Sequence, residues 1–186
     1  MPDTWKRLES WFEKNAPTVN ADLLPGATDK DFAALVKITG AALPDSFKSI
    51  YRVHGGQMGI GPPALGEWSL LSIKSIQKEW KLMKGLLDKG VFKAAAVAIG
   101  PVQPVWWDAG WIPVGSSGGG DFQCVDLNPA SGGQRGQIVT FFHMDEKRER
   151  VAASLPALME AYAGDLEKGR YKLEGGMLVR ARKKSS

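Results

Sequence analysis

The chain has 186 residues, 44% hydrophobic and 24% charged, which is typical of a globular protein and sufficient for one domain with a hydrophobic core. It contains no run of 18 apolar residues and does not begin with a basic and then apolar leader, which argues against a membrane span and a signal peptide. The single cysteine, Cys124, excludes an internal disulfide. We therefore expect a soluble, cytoplasmic protein.

The net charge of +4 is concentrated at one end of the chain. Arg180, Arg182, Lys183 and Lys184 lie in the last seven residues, and the remainder is neutral. Proteins that bind nucleic acid usually carry a basic stripe across a folded face, so we expect no nucleic-acid partner. We predict one domain over residues 1–180 and a basic disordered tail over residues 181–186.

Three helices are predicted in the first third of the chain. Apolar residues recur at helical spacing over residues 3–16, and Thr28 with Asp31 has capping-box spacing at the start of a second helix. A third helix follows Pro44, and Gly55 with Gly56 is expected to form its left-handed cap. One face of this helix should carry Phe47, Ile50, Tyr51 and His54.

The rest of the chain is predicted to be mainly strand. Residues 73–90 have the apolar stripe of a longer helix, whereas residues 91–99 fit helix or loop equally well. Later elements are strands at 68–73, 111–115, 122–127 and 137–142, a helix after Ser154 and a hairpin over 171–180. This order indicates a single-domain α+β fold with N-terminal helices, a mostly antiparallel sheet of short strands, and a C-terminal helix and hairpin.

The glycine-rich segment between Gly115 and Asp121 is the most conspicuous candidate site. Such loops cradle phosphate when a helix follows and a lysine is present, but here a strand follows and the loop contains no basic residue. We therefore interpret it as a tight connection between strands, with Gly120 at positive φ.

No catalytic or metal-ligating set is evident in the sequence. The two histidines, His54 and His143, lack the spacing of a metal site, and no metal or cofactor is expected. A hydrolase could combine Ser116 or Ser117 with His143 and an aspartate (Asp121, Asp126 or Asp145), but the Gly-x-Ser-x-Gly spacing is missing. Asp121 and Asp126 fall on opposite faces of one strand, so they do not form an acid/base pair.

Three tryptophans, Trp106, Trp107 and Trp111, lie within six residues. They either pack in the core or present an edge to a partner, because tryptophan is frequent in both settings. The candidate partner contacts are Trp106 and Trp107 together with Ser116 and Ser117.

The order of these motifs resembles the SUKH superfamily, in the Smi/Knr branch that includes the fungal cell-wall assembly regulator. The similar motifs, between Trp5 and Tyr162, include residues 24–29, 43–56 and 68–72 and a long central signature; Gly55 stands where the family usually has Asn. Its mainly structural residues here are Gly55, Gly56, Trp106, Trp107, Trp111, Pro113, Gly115, Gly120, Asp121, Asp126, Pro129 and Gly136.

The resemblance implies a binding protein that is not an enzyme and needs no cofactor. Bacterial members imply an immunity protein that binds and neutralises a toxin domain, which is the first hypothesis. Fungal members imply a regulatory scaffold in cell-wall assembly and growth control, which is the alternative. A hydrolase or nucleotide-binding enzyme that uses residues 115–121 and His143 is the third hypothesis.

Overall fold

The computed structural model describes residues 2–181, so all of the predicted basic tail except Ala181 lies outside the described residues. The helices are α1 (Pro2–Asn15), α2 (Pro17–Ala21), α3 (Asp29–Thr39), α4 (Asp45–Tyr51), α5 (Ile73–Asp88) and α6 (Leu155–Glu167). The strands are β1 (Leu23–Pro25), β2 (His54–Gln57), β3 (Ser69–Leu70), β4 (Val97–Ile99), β5 (Trp111–Ser116), β6 (Phe122–Asp126), β7 (Gln137–Phe141), β8 (Lys147–Ala152), β9 (Tyr171–Glu174) and β10 (Met177–Arg180).

A six-stranded sheet organises the fold, with the strand order β3-β5-β6-β7-β8-β4. All neighbours in it are antiparallel except β4, which runs parallel to β8 at one edge. Two antiparallel pairs, β1–β2 and β9–β10, lie outside this sheet. The predicted α+β class with a mostly antiparallel sheet is confirmed.

The helix starts follow from local side-chain hydrogen bonds. The side chain of Thr28 accepts from the amide of Asp31, and the carboxylate of Asp31 accepts from the amide of Thr28, so the predicted capping box is present with Asp in place of Glu. Ser72 and Ser154 cap α5 and α6 in the same way, each accepting an amide three residues ahead.

Both faces of the sheet are buried. On one face Ile112, Val125 and Ile138 join the larger core, to which all six helices contribute buried residues. On the other face Cys124 and Val139 belong to a second core. Its remaining buried members are Met83, Val102, Trp107, Trp111, Phe122 and Phe141. The central strands therefore alternate between two apolar environments, which explains why they read as nearly continuous apolar runs.

The prediction for Gly55 and Gly56 is wrong. Helix α4 ends at Tyr51 with Arg52 in right-handed conformation, and both glycines lie in β2. Gly56 does have positive φ (114°), and a Cβ there would lie 2.5 Å from the Cα of Ser72. The glycines thus allow close approach of two backbones, instead of capping a helix.

Five elements were not predicted from the sequence: α2, β1, β2, β4 and β8. The segment left open between helix and loop contains β4, an exposed edge strand. Strand β8 lacks the apolar alternation of a strand, because its first four residues (Lys147–Arg150) are all charged. Arg148 is nevertheless fully buried. Pairing with β7 imposes the strand conformation there, so tertiary contacts outweigh local preference.

Trp111 is fully buried, and its ring meets that of Trp107 edge to face at 5.6 Å. We expect Trp111→Ala to lower the free energy of unfolding by about 3–5 kcal/mol, because it opens a large cavity in the second core. Urea denaturation measures the change. Leu82→Ala, at a side chain 56% exposed on α5, is the control, and a loss below about 1 kcal/mol for Trp111→Ala would contradict its assignment to the core.

Gly56 and Gly85 form a matched pair for a second prediction. Gly56→Ala combines positive φ with a backbone clash, and should lower the free energy of unfolding by about 3 kcal/mol or more. Gly85 lies within α5 with open space around its Cβ position, so Gly85→Ala should raise it by about 0.5–1 kcal/mol. Thermal and urea unfolding of both variants test the pair, and equal effects of the two substitutions would overturn the explanation.

Candidate functional site

The glycine-rich loop connects β5 to β6 and bonds mainly to itself. Gly118 and Gly120 have positive φ, as a tight connection requires. The hydroxyl of Ser116 accepts from the amide of Gly118, and that of Ser117 accepts from the amide of Gly119, each at 3.1 Å. Because these amides are already bonded, the loop does not form a cradle of open donors for phosphate.

Asp121, at the end of this loop, holds the turn between β7 and β8. Its Oδ1 lies 2.7 Å from Nδ1 of His143 and accepts from the His143 amide at 2.9 Å. Partial burial of the carboxylate raises its pKa, but the hydrogen bonds from His143 outweigh burial and hold the pKa below its usual value. The loop and the turn therefore form one connected surface.

The serine hydrolase arrangement does not form around this pair. Ser117 donates to Asp121 at 3.4 Å and makes no hydrogen bond to His143 within the described part of the chain. A nucleophilic serine needs the imidazole as its base, with the aspartate behind the imidazole. Here the aspartate stands between serine and histidine, and the geometry is that of a structural clamp.

The tryptophan cluster is divided between core and surface. Trp107 is 2% exposed and packs edge to face against Phe141 at 5.2 Å, so it is not available as a partner contact. Trp106 is half-buried, and the guanidinium of Arg148 lies 4.8 Å from its ring centroid. Arg148 also donates to the carbonyl of Trp106 and, in the β7–β8 turn, to that of Asp145, so Trp106 is tied to the same turn.

Sequence reasoning missed the apolar residues of this turn. Met144 is 84% exposed, and Phe142 is 39% exposed with its ring 5.9 Å from that of Trp68. We define the turn surface as Trp68, residues 116–120 and residues 142–144. The available signal was an apolar residue on each side of His143 directly after a strand, where a polar turn is usual.

The remaining signature residues lie in structural positions. Asp126 is fully buried, and its carboxylate accepts from the side chain of Gln137 and the amide of Asn128, both at 2.9 Å. Burial raises its pKa, against the effect of these hydrogen bonds. Pro113 and Gly115 lie in β5 at a register shift, Gly136 has φ of 95°, and Pro129 packs near Gly133.

The described residues hold no group of three or more side chains arranged for a metal ion. Cys124 is buried in the second core, and burial raises the pKa of its thiol, which disfavours the reactive thiolate. None of the helices in residues 2–181 combines the length and the apolar content that crossing a membrane requires. The geometry thus defines an exposed, partly apolar surface on an α+β domain.

Residues 26–161 match the SMI1 / KNR4 family (SUKH-1), and the chain belongs to that family. It is 29% identical over 184 residues to the cell wall biosynthesis/cell cycle regulator smi1 of Schizosaccharomyces pombe, which covers 91% of this chain and 36% of that protein. It is 23% identical over 206 residues to the cell wall assembly regulator SMI1 of Saccharomyces cerevisiae, covering 91% of this chain and 41% of that protein.

A third relative is the glucan synthesis regulatory protein of Neurospora crassa, 24% identical over 205 residues, with 90% of this chain and 38% of that protein covered. The chain therefore spans roughly two fifths or less of the length of these curated relatives. Their names describe regulators and not enzymes, which agrees with the resemblance found in the sequence.

The Asp121 clamp gives a pH-dependent prediction. The pKa of the Asp121 carboxylate is lowered in the folded state. The carboxylate therefore stabilises the fold above about pH 4, and this contribution is lost as the pH falls through the folded-state pKa. Asp121→Asn should lower the free energy of unfolding by about 1 kcal/mol at pH 7, and the difference from the parent should shrink below about pH 4.

Urea denaturation at a series of pH values measures this difference. Glu146→Gln is the control, because Glu146 lies in the same turn, is exposed, and has no side-chain hydrogen bond or ion pair with any residue in the range 2–181. A difference for Asp121→Asn that stays constant down to pH 3 would contradict the clamp.

Proposed function

We propose that this chain is a regulatory protein-binding domain that acts in the control of cell-wall synthesis and growth, and that it is not an enzyme. The single observation that carries the proposal is the family match over residues 26–161 together with relatives named as regulators of cell-wall biosynthesis, cell-wall assembly and glucan synthesis. The alternative stated from the sequence is thus better supported than the first hypothesis.

The turn surface supports the binding part of the proposal. Met144 is exposed and Phe142 is partly exposed beside the ring of Trp68, in a turn that Asp121 and Arg148 hold in place. Aromatic and methionine side chains are enriched where proteins bind one another, and a rigid surface loses little entropy on binding.

The other hypotheses have less support. The toxin-neutralising function stays a prediction, because the relatives named above are regulators and nothing in the geometry selects a toxin domain. The hydrolase hypothesis required a serine bonded to His143, and Ser117 bonds to Asp121 instead. A cytoplasmic location also stays a prediction.

A domain exchange tests the proposal. The region of the fission yeast regulator that aligns with this chain is replaced by this chain, and the chimera is expressed in a strain that lacks the native regulator. We expect the chimera to restore cell-wall glucan content, and a chimera carrying Phe142→Ser with Met144→Ser to restore much less of it. Loss of a binding hot spot typically costs about 2 kcal/mol or more of binding free energy, equal to at least about thirtyfold in affinity.

Leu82→Ser is the matched control, because Leu82 is also an exposed apolar residue but lies on α5. Immunoblots and thermal unfolding of the isolated chain confirm equal amounts and equal stability of the variants. A chimera that is present and folded but leaves glucan content at the deletion level would refute the cell-wall function. Equal activity of both variants would refute the role of the turn surface.

A further inference from the structure

The C-terminal hairpin, α6 and the segment before β3 enclose a cavity of about 290 Å³, which we call the hairpin pocket. The residues that matter to its chemistry are Glu67, Trp68, Gln123, Tyr162, Asp165 and Tyr171. Trp68 also packs against Phe142, so the pocket adjoins the turn surface through a shared side chain.

Three aromatic side chains form much of the wall. Tyr162 and Tyr171 meet edge to face, with ring centroids 5.1 Å apart, and Trp68 also lines the pocket. The face of an aromatic ring carries partial negative charge and attracts cations, most strongly when the cation loses water. Such a wall favours a flat or compact cationic group.

The pocket also contains two carboxylates. Asp165 is paired with Arg170 at 2.6 Å and with Arg180 at 3.2 Å, and the guanidinium of Arg180 lies 5.9 Å from the ring centroid of Tyr171. Glu67 is exposed and pairs with no cation within residues 2–181. The fold already places one guanidinium, that of Arg180, between a carboxylate and an aromatic ring at this site.

Two buried polar atoms at the pocket lack hydrogen-bond partners: Oη of Tyr162 and Oε1 of Gln123. Burial raises the pKa of Tyr162, so its hydroxyl stays protonated. The backbone amide of Gly66 lies nearby and opposes this rise, but it does not meet the geometry of a hydrogen bond. Buried polar groups are nearly always bonded, so these two oxygens add polar character to a wall that is otherwise mainly aromatic. Both atoms are shielded from solvent, so the groups that face the open pocket are the carboxylates and the aromatic rings.

We infer that the hairpin pocket binds an arginine side chain of a partner protein, and that Arg180 occupies its mouth in the unbound chain. A guanidinium has five N–H donors in a planar fork, which suits pairing with a carboxylate and stacking on an aromatic ring at the same time. The pair between Arg180 and Asp165 is exposed and long, so exchange for another guanidinium costs little. This inference rests on the proposed protein-binding function and specifies the chemistry of the partner.

The test follows the indole N–H signal of Trp68 by two-dimensional NMR of the full chain. The probes are acetyl-Gly-Arg-Gly-amide and the same peptide with citrulline, which has nearly the same shape and no charge. We expect a saturable shift with the arginine peptide and binding weaker by about tenfold with the citrulline peptide, because charge-assisted bonds are much stronger than neutral ones. Equal binding of both peptides, or no shift with either, would overturn the inference.

Variants distinguish this site from general charge effects. We expect Glu67→Gln and Asp165→Asn each to weaken binding of the arginine peptide. Because Glu67 is exposed, its substitution should not affect folding. Arg180→Ala should strengthen it by about threefold or more, because it removes the internal competitor. Arg150→Ala removes an exposed arginine from β8 and should leave affinity unchanged. Equal effects of Arg180→Ala and Arg150→Ala would refute the competition.

The two proposals fail separately. If the chimera restores glucan content while the arginine peptide causes no shift of the Trp68 signal, only the pocket assignment is overturned. If the peptide binds as expected while the chimera is inactive, the pocket assignment stands and the cell-wall function is refuted.

Discussion

The fold depends on three strands, β5, β6 and β7, that are buried on both faces. Cys124 and Val139 point into one core, and Val125 and Ile138 into the other. Because both faces of these strands are apolar, other elements must pack on both faces of the sheet. All six helices contribute to one core, and the irregular segment around Trp107 with the later part of α5 contributes to the other.

Because both faces of the sheet are covered, the sheet itself is accessible to partners only at its ends and edges. The carboxylate of Asp121 fixes one turn from outside, and the buried guanidinium of Arg148 fixes it from within by donating to three backbone carbonyls. Burial lowers the pKa of Arg148, and the nearby charge of Asp145 opposes this shift without forming an ion pair. Carbonyl dipoles and the rings of Trp106 and Phe141 also stabilise the guanidinium.

The turn surface and the hairpin pocket combine two kinds of recognition. The turn surface offers apolar side chains, which contribute affinity with little orientation, whereas the pocket offers charge and aromatic ring faces, which favour a particular chemical group. Trp68 belongs to both, so a partner that contacts one would lie next to the other. The family match concerns this domain, and the relatives are more than twice as long as the part aligned with it, so their further segments can contribute other contacts.

The sequence by itself determined the α+β class and the capping box at Thr28, because these depend on the period of apolar residues and on local hydrogen bonds. It also determined the family, because the order of the motifs along the chain is visible without a structure. Tertiary structure alone decided the strand conformation of β8 and the burial of Trp107 but not of Trp106. It also decided why a glycine is required at position 56, where the backbone of Ser72 lies too close for a side chain. It also decided the site, since the hairpin pocket joins residues as far apart as Glu67 and Arg180. Each of these depends on which distant segment packs opposite a residue, and no periodic pattern within the chain carries that information.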